Sequence, residues 1–128
     1  MSSSIPPEFA GRGEVMLGFA ESAAEDGRFF FYVRIPESIG PLVRGDRYED
    51  PLQEALSSAG LGEVTGGGSQ LGEGDSIAYC GLDVVVTDRE RGLTIIRETL
   101  QGLGAPPSTV IEEYLPSYHE HPLHIRNA

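Results

Sequence analysis

Every histidine of this chain falls within six residues near its end: His119, His121 and His124, with Glu120 between the first two. Imidazoles two and three positions apart beside a carboxylate are a donor set that zinc or copper accepts, so the three are candidate metal ligands. Their spacing is not that of a helical zinc-protease pair, and Pro122 among polar neighbours suits an irregular tail. A second group is cationic. Arg34, Arg44 and Arg47 are three of nine basic residues, gathered at and within the stretch 35–48, which is longer than a usual βα connection. They can grip an anion or carboxylate; the competing reading pairs them at the surface with Asp46, Glu49 and Asp50. A third group is acidic. Asp83 and Glu112 support acid–base chemistry only if they are buried together, and Glu112 and Glu113, adjacent on a strand, point to opposite faces.

Two further features are read as structural. The run Gly66-Gly67-Gly68-Ser69-Gln70 has the glycines of a phosphate loop but neither its lysine nor a following helix, so it is expected to be a bulged or twisted edge strand. Cys80 falls among apolar residues at alternate positions and is expected as a small buried hydrophobe rather than a reactive thiol. No serine sits in a nucleophile elbow.

The elements that position these residues follow from periodicity and caps. Residues 29–35 and 76–87 are rich in aromatic and β-branched side chains and read as central strands; 62–71 and 109–115 are more polar and read as edges. Asp50 before Pro51, with Leu52, Ala55, Leu56 and Ala59 up to Gly60, marks one helix. Thr87 with Glu90 fits a capping box for a second, carrying Leu93, Ile96, Leu100 and Leu103 up to Gly104. The order βαββαβ is the ferredoxin-like arrangement: an α+β sandwich in which a four-stranded antiparallel sheet carries two helices on one face. Residues 1–13 are expected to be flexible, 14–115 to form the single domain, and 116–128 to be a histidine-bearing tail. Residues 14–20 alternate weakly, with Val15, Leu17 and Phe19 on one side, and read as an extra strand.

Two-residue alternation divides the sheet. Ala78, Cys80, Leu82, Val84 and Val86 share the side toward the helices. Phe30, Tyr32, Arg34, Tyr79, Asp83, Glu112 and Tyr114 share the other, an aromatic floor with a few charges. Tyr32, Arg34, Tyr79, Asp83, Glu112 and Tyr114, with Arg44 and Arg47 from the neighbouring loop, are the candidate ligand or partner contacts. The floor can be a ligand pocket, a homodimer interface or a surface covered by the chain's own ends; the last two are favoured because exposed aromatic patches usually meet protein.

Charge narrows the partner class. Twenty acidic against nine basic side chains give −11 over 128 residues, which repels a phosphate backbone and argues against nucleic acid. A basic protein is the complementary partner. No apolar run approaches the ~20 residues that cross a bilayer, and the start lacks a signal-peptide pattern. With Cys80 as the only cysteine, a soluble protein of a reducing cytoplasm is expected.

The segments Tyr-Val-Arg-Ile-Pro-Glu (residues 32–37), Arg-Gly-Asp-Arg-Tyr-Glu-Asp-Pro-Leu (44–52), Gly-Glu-Val-Thr-Gly-Gly-Gly-Ser-Gln-Leu (62–71) and Leu-Gly-Ala-Pro (103–106) resemble a family of small uncharacterised bacterial proteins. The resemblance spans about residues 29–114 and implies the fold without bringing catalytic residues or a ligand. In size and charge alone the chain is also similar to immunity proteins that neutralise basic toxins. Two functions are therefore carried forward. One is a non-catalytic binding or protein-interaction domain. The other is a ligand-binding or enzymatic dimer with a pocket on the open sheet face.

Overall fold

The computed structural model describes residues 10–37, 41–71 and 77–123. Five antiparallel strands form one sheet: β1 (Phe29–Ile35), β2 (Gly62–Leu71), β3 (Ile77–Val86), β4 (Val110–Glu113) and β5 (His119–Pro122), in the order β2-β3-β1-β4-β5. Three helical segments accompany them among the described residues. The first is α1 (Ala10–Glu25). The second is composite: α2 (Pro41–Arg44), a π-helical turn (Gly45–Glu49) and α3 (Asp50–Ser58). The third is α4 (Arg89–Gly102). None of these helices is long and apolar enough to cross a membrane.

The α+β class and the central placement of β1 and β3 agree with the sequence reading, but the sheet has five strands where four were expected. The additional strand comes from the tail read as irregular. His119–Pro122 pairs antiparallel with β4 and places His121 opposite Ile111. Side chains of α4 hold it: Arg97 Nε donates to the Pro122 carbonyl at 3.0 Å and Gln101 Nε2 to the Leu123 carbonyl at 2.8 Å.

The main core lies between the sheet and the second and third helical segments. Phe31, Val33, Ile35, Cys80, Leu82, Val84, Val86 and Ile111 point to this side, where Tyr48, Leu52, Leu56, Leu93, Ile96 and Leu100 meet them. Gly60 and Gly104 stop their helices as expected, taking φ +64° and +76°, a region where a side chain is strained. Two local readings change. The cap of α4 is Asp88 rather than Thr87: its side chain accepts from the Arg91 N–H at 3.0 Å. The expected loop before Asp50 is helical from Pro41 onward. The π turn sits just before Pro51, whose ring collides with the carbonyl four residues back in a regular helix, and the wider turn gives it room.

The largest difference is α1. Residues 14–20 lie within a helix, not an extra strand, and that helix covers the aromatic sheet face. Met16, Ala20 and Ala23, at helical spacing, pack with Phe30, Tyr32, Tyr114 and Tyr118. Ala20 and Ala23 are small enough to let the helix lie close to the rings. Val15 and Phe19 instead face outward, 53% and 46% exposed. The molecule is thus three layers, helix on sheet on helices.

Candidate functional site

On the α1 face, pairing places Tyr32 between Asp83 of β3 and Glu112 of β4, and Arg34 between Gly81 and Val110. The Tyr32 ring lies across Gly81, where any side chain would overlap its hydroxyl end. Arg34 Nε is 3.4 Å from Glu112 Oε2, and its Nη2 is 3.6 Å from Glu120 Oε2. The Tyr114 hydroxyl donates to Glu112, and Tyr118 donates to Glu120 at 2.7 Å. Tyr114 and Tyr118 meet edge to face with centroids 5.1 Å apart. Glu112 is fully buried. Burial, reinforced by the neighbouring carboxylates, pushes the Tyr118 phenol far above its ordinary range, so it stays a neutral donor. Four predicted residues, Tyr32, Arg34, Glu112 and Tyr114, are therefore brought together, beneath α1 rather than facing solvent. They join a lock in which one arginine bridges two carboxylates.

The other predicted residues fall elsewhere. Tyr79 is half-buried at the margin of the α1-face cluster. Burial raises the Asp83 carboxyl, with Arg44 opposing. Since Tyr32 separates it from Glu112, the two carboxylates sit two strand spacings apart, about 10 Å, too far to share a proton. Arg44 Nε is 3.5 Å from Glu49 Oε1. This pair lies over Gly67, where a Cβ would sit 3.2 Å from the guanidinium and 3.3 Å from the carboxylate. The glycine run thus makes room for an ion pair as well as for a bulge, which falls between Val64 and Gly66. Arg47 Nη1 is 2.9 Å from Glu37, which also accepts from the Tyr48 hydroxyl. Burial and Glu37 push that phenol up to about 12. Cys80 is buried, and burial raises its thiol as expected of an inert core residue.

The histidines divide. His119 Nε2 is 3.1 Å from Ser117 Oγ, whereas His121 Nε2 is 2.9 Å from Glu113 Oε1; the two rings are 6.4 Å apart. Among the described residues no group of three His, Cys, Asp or Glu side chains is placed to hold a metal ion. His124 lies outside the described residues.

Sequence reasoning missed the network centred on Glu113. Arg89, in the first turn of α4, grips both its oxygens, Nε to Oε2 at 2.6 Å and Nη2 to Oε1 at 2.7 Å, and His121 supplies a third contact. Burial alone would raise this carboxyl, but Arg89 and His121 outweigh it and hold it at about 2. The available signal was the pair Glu112-Glu113 itself. Neighbours on a strand face opposite ways, so in a sheet covered on both sides each needs its own cation. Near Glu113 a cavity of about 430 Å³ opens where α1, β1 and the end of β4 converge.

What the fold and these clusters define is an α+β protein in which several polar side chains tie the strands to one another and to α4. Comparison with protein-family models, with curated proteins and with solved structures gives no match.

Proposed function

We propose that the chain is a small binding domain, built on a ferredoxin-like core of β1 to β4 and extended by β5, which recognises a basic protein through the outer face of α1. One observation carries this reading: the solvent side of α1 presents Val15 and Phe19, and the exposed stripe along one side of them carries Glu14, Glu21 and Glu25. Apolar side chains beside a stripe of carboxylates match a partner surface that offers apolar contacts next to basic groups. The charge of −11 adds long-range attraction for such a partner and repulsion between two copies of the chain.

Size extends the proposed footprint. A 16-residue helix is about 24 Å long and roughly 10 Å across, far short of the ~800 Å² that each side of a stable complex commonly buries. The partner must reach past α1 to the neighbouring groove of about 170 Å³, whose rim includes Asp26, Glu63 and Thr65. The acidic charge by which the chain is similar to immunity proteins fits this reading. A pocket on the aromatic floor is less favoured, because α1 and Tyr118 lie on that floor.

The test is binding between the purified chain and the basic protein that it captures. A complex weakened about tenfold or more by Phe19→Ser, and by raised salt, supports the proposal. A complex indifferent to both overturns it, as does a stable homodimer, seen by native mass spectrometry, that Phe19→Ser dissolves.

A further inference from the structure

The cavity of about 430 Å³ is lined mainly by apolar side chains, among them Ala24 of α1, Phe29 and Phe30 of β1, and Leu115 beyond β4. Its volume lies at the lower end of the range for small-molecule sites, enough for a single ring with a short chain. Two charged residues reach it, and their circumstances differ. Glu113 is committed from outside the cavity: Arg89 and His121 occupy both its oxygens. Its charge is thereby offset, and it offers little to a cationic ligand.

Arg28 is the opposite case. It lines both this cavity and the smaller groove between α1 and β2. Its side chain is 37% exposed, and its ion pairs with Glu63 and Asp26 lie at 3.9 and 4.0 Å, beyond hydrogen-bond distance. A planar guanidinium whose fork is not filled by its own carboxylates is suited to bidentate contact with an incoming one.

From this juxtaposition of an apolar chamber, a neutralised acid and a loosely engaged arginine, we infer that the cavity binds a small amphipathic carboxylate. The apolar body fills the space between Ala24, Phe30 and Leu115, and the carboxylate meets Arg28. This inference stands apart from the proposed protein interface, which rests on Val15 and Phe19.

The test titrates the full chain with three probes of one shape: 4-phenylbutyrate, 4-phenylbutanol and 4-phenylbutylamine, followed by calorimetry and by backbone amide shifts. The expected result is saturable binding of the carboxylate about tenfold tighter than the alcohol, with the amine weakest and the shifts centred on Ala24, Phe30 and Leu115. Arg28→Gln should reduce the carboxylate to the affinity of the alcohol while circular dichroism stays unchanged. Ala24→Phe, which fills the cavity from an exposed helix position, should abolish binding of all three. Val15→Ser should leave binding as it was, since it lies nine residues away along α1. Equal or tighter binding of the amine, an unaltered carboxylate affinity in Arg28→Gln, or no saturable binding at low-millimolar probe would each overturn the inference.

Discussion

Glu112 and Glu113 are neighbours in the chain, yet each is buried on a different face and each meets its own arginine, Arg34 and Arg89. Such pairs contribute little compared with an apolar alternative, but removing one partner strands a buried charge and costs about 3–5 kcal/mol. Arg34→Ala should therefore lower the urea midpoint by that order, with Arg34→Lys intermediate; unchanged stability would contradict the lock. The Glu113 carboxyl, held at about 2 against an ordinary 4.5, makes stability depend on acid. A depressed carboxyl supports the native state fully above 4.5, and that support is lost as pH falls from 4.5 toward 2. The difference amounts to about 3 kcal/mol. Urea unfolding across this window should show the loss in the natural chain and much less of it in Glu113→Gln. The alternation rule made the companionship of Tyr32, Arg34, Glu112 and Tyr114 legible beforehand. Tyr118 and Glu120 were not legible, because two histidines and a proline in a tail read as irregular and no local pattern announces a strand held by contacts from α4.

At the scale of elements, β1 to β4 and the second and third helical segments could be read from period and caps, whereas α1 could not. Gly11, Gly13 and Gly18 depress its helix propensity, and its buried side is built largely from small residues, so hydrophobicity hardly varies around it. The clue lay in its partner. Phe29-Phe30-Phe31-Tyr32-Val33 is an unbroken apolar run, and such a strand is covered on both faces. A chain beginning at Arg28 should therefore expose Phe30, Tyr32, Tyr114 and Tyr118, bind hydrophobic dyes and associate; a soluble monomer without dye binding would show α1 to be dispensable. Close approach governs the other face. Gly92 in the first turn of α4 lies against Val86, whose side chain would sit 2.6 Å from an added Cβ. Gly92→Ala should cost about 1–3 kcal/mol in thermal or urea unfolding, since the added methyl group overlaps the buried Val86 side chain.

For the whole molecule, twenty acidic groups on a small domain repel one another, so raising salt from a few millimolar toward physiological strength should raise the melting temperature. A fall would mean that the ion pairs outweigh the repulsion. The treatment of the sheet's two borders has a further consequence. At one border β2 is bulged, and its Val64 N–H is taken by Gln53 of α3 at 2.8 Å. At the other, β5 is four residues long, ends in Pro122, and gives the Pro122 carbonyl to Arg97. Each border therefore offers an incoming chain an interrupted row of hydrogen-bonding groups. Among the described residues the sheet is self-terminating: neither border is the ready template by which strands of neighbouring copies stack into fibrils.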